Sequence, residues 1–340
     1  MNGFDLSTVT NIYLGSTPVK EVYMGTKLIW SKTFDYSSEY FTIESLEDNN
    51  QIGIVDSNRP SISISTDKQT WITVTPNAAP TYFITLNTGE KVYIKGSNNA
   101  YYNRSWSTQG YFTSTGKFNV SGNIMSLLYA DDFQNKTTLS WSQTFYYLFY
   151  NANKLVSAEH LVLPANTLTE YCYASMFEGC TSLATAPELP ATTLANTCYG
   201  SMFEGCTSLT TAPELPATTL ANSCYYSMFA GCSSLNKSPE LPVTDLQWSC
   251  YEKMFIRCTS LNTAPELPAT TLADRCYADM FYGCKSLNYI KMLATDVSAN
   301  NCLLWWVYGV APLGTFVKDA SATLPTSSSG IPDGWTVETV

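Results

Sequence analysis

Histidine is almost absent from this chain: among 340 residues only His160 is one. Ser-His-Asp or Cys-His catalysis would have to use it. It lies in the run AEHLVLP, where later segments read APELP, so a structural or surface position accounts for it. Also missing are a C-x-x-C pair, a Gly-rich phosphate loop and any carboxylate pair at a distinctive spacing. A zinc site of the usual nitrogen and sulfur type would lack ligands. The expectation is a protein without enzymatic activity, metal or cofactor.

Positive charge is scarce as well. Eighteen Lys and Arg face twenty-eight Asp and Glu, a net charge of -10. That balance leaves no electrostatic footprint for nucleic acid or anionic lipid. No apolar run reaches the ~18 residues of a membrane span. The opening MNGFDLSTVT has no basic segment followed by an apolar one, so no usual export signal is expected.

Cysteine, by contrast, is abundant and ordered. Cys172, Cys198, Cys224, Cys250, Cys276 and Cys302 recur every 26 residues, and Cys180, Cys206, Cys232, Cys258 and Cys284 do the same. A fixed period of that length marks a solenoid, whose units bury their apolar faces against one another. Within a unit, Cys, Met and Cys fall at relative positions 0, 4 and 8, with Tyr at 1 and Phe at 5. On a helix they form one core-facing arc. Gly179, Gly205, Gly231 and Gly283 would then end the helix in the left-handed conformation. Leu183, Leu209, Leu235, Leu261 and Leu287 follow in an extended stretch that can stack as a parallel ladder. Next comes Pro-Glu-Leu-Pro, where two prolines forbid helix and regular pairing.

Each unit thus reads as strand, Pro-rich turn, helix. Strands stack at about 4.8 Å and helices at about 8–10 Å, which predicts an arc with helices outside. Cysteines eight residues apart on one helix would be separated by roughly 12 Å along its axis. Equivalent cysteines on neighbouring helices would exceed the ~7 Å that a disulfide tolerates. They read as reduced, apolar core thiols.

Upstream, residues 9–30 hold two near-copies, IYLGSTPV and VYMGTKLI, that fit short β-hairpins. They read either as a strand pair tucked against the next domain or as a docking element. Residues 34–130 carry alternating runs such as SISISTD, QTWITVTP and YFITLNTGEKVYIKG, which indicate an antiparallel sandwich with NTGE as a hairpin turn. The expected organisation is an attachment element (1–33), a β-sandwich (34–130), repeats (131–310) and a cap (311–340). The fold class is multidomain β plus α/β solenoid.

The units MFEGCTSLTTAPELPATTLANSCY resemble BspA-type leucine-rich repeats, common in gut Bacteroidales and their phages. The flanks KFNVSGNIMSLLYADDF and GTFVKDASATLPTSSSGIPDGWTV resemble those of phage-encoded members. IYLGSTPVKEVYMGTKLIW resembles the N-terminal element of virion structural proteins, including those of crAss-like phages. The resemblance implies a virion head or tail fibre or decoration component that contacts the bacterial surface. It would be made in the host cytoplasm, anchored to other virion proteins through its N-terminal element, and assembled as a homo-oligomer, by analogy a trimer. A bacterial cell-surface adhesin, and a glycan-active enzyme or carbohydrate-binding module, are the alternatives.

Candidate binding residues lie where units diverge. The fourth unit replaces small or polar residues with Gln247, Trp248, Glu252, Lys253, Ile256 and Arg257, and Tyr226 on the preceding unit can extend that patch. Neutral drift and a partner contact both fit. Tyr101, Tyr102, Trp106 and Tyr111 form either a platform for flat ligands such as sugars or a cover for the sandwich end or an intersubunit contact. The carboxylates of Glu188, Glu214, Glu240 and Glu266 read as solvated charges or as a cation ladder. Trp305, Trp306 and Tyr308 read as a cap or an oligomer contact.

Overall fold

In the computed structural model the described residues are 12–14, 17–19, 21–24 and 27–31, as backbone, and 35–55, 61–76, 80–97 and 111–340 in full. Two antiparallel hairpins come first, β1 (Ile12–Leu14) with β2 (Thr17–Val19) and β3 (Glu21–Met24) with β4 (Lys27–Ser31). Eight strands follow: β5 (Phe41–Ser45), β6 (Asn50–Val55), β7 (Ile62–Ser65), β8 (Ile72–Val74), β9 (Thr81–Leu86), β10 (Lys91–Lys95), β11 (Tyr111–Ser114) and β12 (Phe118–Asn123). Then come a one-turn helix, α1 (Ser126–Tyr129), and β13 (Leu155–Val162).

These strands form two sheets. One has the order β13-β12-β5-β10-β7-β8 and the other β11-β6-β9. Alternation places Phe41, Ile43, Val92, Ile94, Phe118 and Val120 of the first against Ile52, Ile54 and Phe112 of the second, all buried. Phe41 and Phe112 meet across the gap with ring centroids 5.2 Å apart. The Asn87–Glu90 turn forms, with Gly89 at φ +80° and Glu90 N–H donating to the Asn87 carbonyl at 3.0 Å. It does not close the expected hairpin, because β9 pairs with β6 and β10 with β5, so the chain changes sheet there.

The two regions are continuous through β12, which pairs in parallel with β13 of the repeat region. Phe149 of the first coil lies 5.9 Å from Phe41 and 6.0 Å from Phe112. One hydrophobic core runs from the sheets into the repeats.

The strand-turn-helix leucine-rich-repeat arc is overturned. Among the described residues α1 is the only α-helix, and none of the repeat units contains one. Where helices were expected, backbone bonding alternates. In the coil 197–206, the N–H groups of Thr197, Tyr199, Ser201, Phe203 and Gly205 donate to carbonyls of the next coil, from Asn222 to Ala230. Those of Cys198, Gly200, Met202, Glu204 and Cys206 donate three residues back within their own coil. The result is a run of tight turns with a four-residue rhythm, two side chains in and two out. A left-handed residue recurs at Thr197, Ser201 and Gly205 with φ +53°, +53° and +74°.

A four-residue rhythm and a helix both place positions 0, 4 and 8 on one face, which is why periodicity did not separate them. Helices drift by about 40° every four residues and need about 8–10 Å between axes. The stacked coils allow less: successive Tyr rings lie 5.8–6.1 Å apart and successive Phe rings 5.4–5.7 Å. Coils joined by direct N–H to carbonyl bonds keep strand-like spacing, so no outer layer of helices forces an arc. Nearly parallel rings, 1° for Phe177–Phe203 and for Tyr199–Tyr225, show a stack with little twist there.

All eleven cysteines are free and buried. The second register has a definite task, for each of its thiols donates to the carbonyl of the Phe in the preceding coil. The distances are 3.0 Å for Cys180 to Phe149, 3.2 Å for Cys206 to Phe177 and 3.1 Å for Cys232 to Phe203. Cys258 to Phe229 at 3.1 Å and Cys284 to Phe255 at 2.9 Å continue the series. Cysteine suits this place as a small apolar filler with a weak donor.

The Leu ladder is fully buried, but most of it is joined by isolated bridges and single bonds such as Thr211 with Lys237 and Ala212 N–H to Lys237 O. Regular pairing returns where the Pro-Glu-Leu-Pro motif no longer recurs. β14 (Tyr289–Met292), β15 (Thr315–Lys318) and β16 (Thr336–Thr339) form a parallel sheet that continues the stack. Trp306 closes the aromatic ladders. It is fully buried, 6.5 Å from Tyr277 and 6.1 Å from Phe281, with its indole N–H on the Gly330 carbonyl at 2.9 Å. Trp305 and Tyr308, expected in the same cap, are instead half-exposed.

Candidate binding face

The four-residue rhythm decides which side chains face outward, and the divergent fourth coil places its unusual residues there. Trp248 is 51% exposed, Arg257 is exposed, and Lys253 and Ile256 are half-buried. Glu252 departs from the expected outward patch. It is 3% exposed, because at the outward position that Tyr226 holds in the preceding coil it is covered by Arg275 and Ser249.

Its charge is fully engaged. Arg275 of the next coil donates to both carboxylate oxygens, Nε to Oε2 at 3.0 Å and Nη2 to Oε1 at 2.6 Å, and the Ser249 hydroxyl adds a bond of 2.6 Å to Oε2. A buried carboxylate requires such a fork, since a lone charge there would be prohibitively costly. The bond to Glu252 holds the Arg275 guanidinium above its ordinary pKa. Lys253 Nζ donates to the Tyr226 hydroxyl at 3.1 Å and lies 5.4 Å from the centre of that ring. That bond raises the lysine pKa, and burial raises that of nearby Asp279.

Tyr226 stands between two grooves. One, of about 610 Å³, runs along the stack from Tyr171 past Thr197 and Ser223 to Trp248, Ser249 and Arg275. The other, of about 440 Å³, lies between Glu204, Lys253, Ile256 and Arg257 over Gly205 and Gly231. The structure therefore brings Tyr226, Trp248, Lys253, Ile256 and Arg257 to one face, with Glu252 beneath it. Sequence reasoning missed Tyr171, Thr197, Ser223, Ser249 and Arg275. Arg275 was detectable, because it fills the position before the Cys that holds Tyr, Thr or Ser in the earlier coils.

Arg257 takes φ +61° at the position where five other coils have Gly at +72° to +75°. A side chain there costs about 1 kcal/mol. Arg257→Gly is expected to raise stability by up to about 1 kcal/mol in urea unfolding while weakening whatever binding this face performs. A stability loss would mean that Arg257 is held by contacts that outweigh the backbone strain.

The other candidates divide differently. Tyr101, Tyr102 and Trp106 lie outside the described residues. Tyr111 is half-buried on β11, with its ring 5.9 Å from that of Tyr150. Glu188, Glu214, Glu240 and Glu266 are exposed, and Lys291 pairs with Glu266 at 2.9 Å. A Pro-walled groove of about 410 Å³ separates Glu240 from Glu266. No group of three His, Cys, Asp or Glu among the described residues could hold a metal ion. His160 is exposed on β13 with its ring stacked on Tyr36 at 4.4 Å. Among the described residues no helix is long and apolar enough to cross a membrane. No protein family, curated protein or solved structure matches the chain.

Proposed function

We propose that this chain is a non-enzymatic attachment protein that engages a bacterial surface through the face centred on Tyr226 and Trp248. One observation carries the reading: side chains that break an otherwise regular repeat converge, from three successive coils, on adjoining grooves. Drift would scatter such departures. The resemblance of the flanks and opening segment to phage structural proteins favours a virion fibre or decoration component, with the N-terminal hairpins joining it to other virion proteins. A cell-surface adhesin would use the same face.

Binding of fluorescent protein to intact Bacteroidales cells tests the reading. The double variant Trp248→Ala/Arg257→Ala is expected to lose at least tenfold in cell binding. Trp141→Ala, which removes a 48% exposed Trp near the start of the stack, is expected to retain it. Equal binding by the double variant and the parent would remove this face as the attachment surface.

A further inference from the structure

We infer that the larger groove takes an extended, linear saccharide chain lying parallel to the stack axis; this rests on the attachment reading above. The groove crosses five coils, with Tyr171 in the first, Trp248 in the fourth and Arg275 in the fifth. Between these two aromatic residues the same outward position is filled by Thr197 and Ser223, one hydroxyl per coil, while Ser249, next in the row, gives its hydroxyl to Glu252. Thr197 and Ser223 both have φ +53°, so the backbone holds them in the same attitude.

The coil-to-coil spacing gives the row its chemical meaning. Ring centroids in this part of the stack repeat at 5.4–5.9 Å and are nearly parallel, an upper bound on the coil spacing because stacked rings are offset; backbones bonded directly N–H to carbonyl repeat at about 4.8 Å. Outward groups repeating once per coil, at about 5 Å, suit one pyranose per coil in an equatorially linked chain. A peptide strand would instead present a residue every ~3.3 Å and alternate its faces. Trp248, 51% exposed, supplies a flat apolar platform for a sugar face. The Arg275 guanidinium, held in place by Glu252, closes the same end with N–H donors for a hydroxyl or carboxylate of the sugar. Nucleic acid fits poorly, given the net charge of -10.

Titration calorimetry of the intact protein with defined oligosaccharides tests this. The probes are cellohexaose, xylohexaose, mannohexaose of β-1,4 linkage and, as a curved chain, maltohexaose. Saturable binding of at least one β-1,4 hexasaccharide is expected, at least tenfold tighter than maltohexaose. Affinity should rise from disaccharide to pentasaccharide and then level off, because the groove spans five coils. Trp248→Ala should weaken it at least tenfold, and Trp141→Ala should not.

Equal affinity for maltohexaose overturns the straight-chain geometry. Absence of heat with all four probes overturns the saccharide inference; if the Trp248→Ala/Arg257→Ala variant still loses cell binding, the attachment reading stands with a protein receptor. Release of reducing sugar from any probe would overturn the non-enzymatic reading itself.

Discussion

Raising the pH from 8 to about 10.5 under reducing conditions is expected to unfold the stacked coils cooperatively. Ten cysteines have no exposed surface and Cys302 has only 3%. Burial pushes the thiol pKa values up, to about 12 for Cys198, Cys250 and Cys284. In an unfolded chain the same thiols ionise near ~8.5. Above that pH the folded state holds more protons than the unfolded one, so stability falls as pH rises. It is fully present below the unfolded value and is lost progressively toward the folded one.

Each buried thiol then contributes a slope of about 1.4 kcal/mol per pH unit, and ten together about 14 kcal/mol per unit. A domain stable by about 5–15 kcal/mol does not withstand more than roughly one to two units of that slope. Circular dichroism against pH checks the expectation, with a midpoint between about pH 9 and 10.5. At pH 8 the folded protein should react with almost no aromatic disulfide reagent, and the alkaline-unfolded protein with all eleven thiols. A stack that keeps its signal at pH 12 would show that the thiols are not confined as described.

The second large effect concerns the Phe ladder. Phe229 lies between Phe203 at 5.6 Å and Phe255 at 5.7 Å and has no exposed surface. Its carbonyl accepts both the N–H of Cys232 and the thiol of Cys258, each at 3.1 Å. Phe229→Ala is expected to cost about 3–5 kcal/mol in urea unfolding. The rings above and below cannot collapse into the gap, because backbone bonds fix the coil spacing. Trp248→Ala, on the exposed face, should cost less than about 1 kcal/mol. A loss below 1 kcal/mol at Phe229 would show that neighbouring coils can close over the cavity.

Much of this was legible in the sequence because a repeat states its own buried positions. The cysteine ruler, the Leu series and the Tyr and Phe columns identify the side chains that must be covered, and all of them are buried. The glycine column was also readable as left-handed, and Arg257 as its exception, although the element containing them was misassigned. The N-terminal hairpins and most strands of the paired sheets followed from alternation. The NTGE turn did not, since a turn's local geometry does not say which sheet the next strand will join.

Composition and spacing alone determined the period, the buried set and the coil that departs from its neighbours. Tertiary structure decided what those residues become. Positions 0, 4 and 8 suit a helix or a chain of tight turns equally well in isolation. The choice fell to the neighbouring coils, which offer a carbonyl to every second N–H at a spacing no helix can occupy. The same stacking covered Glu252 with Arg275 of the next coil and aligned Tyr171, Thr197, Ser223 and Trp248 along one groove. These residues are about 26 apart in sequence, and only the packing of one coil on the next makes them neighbours.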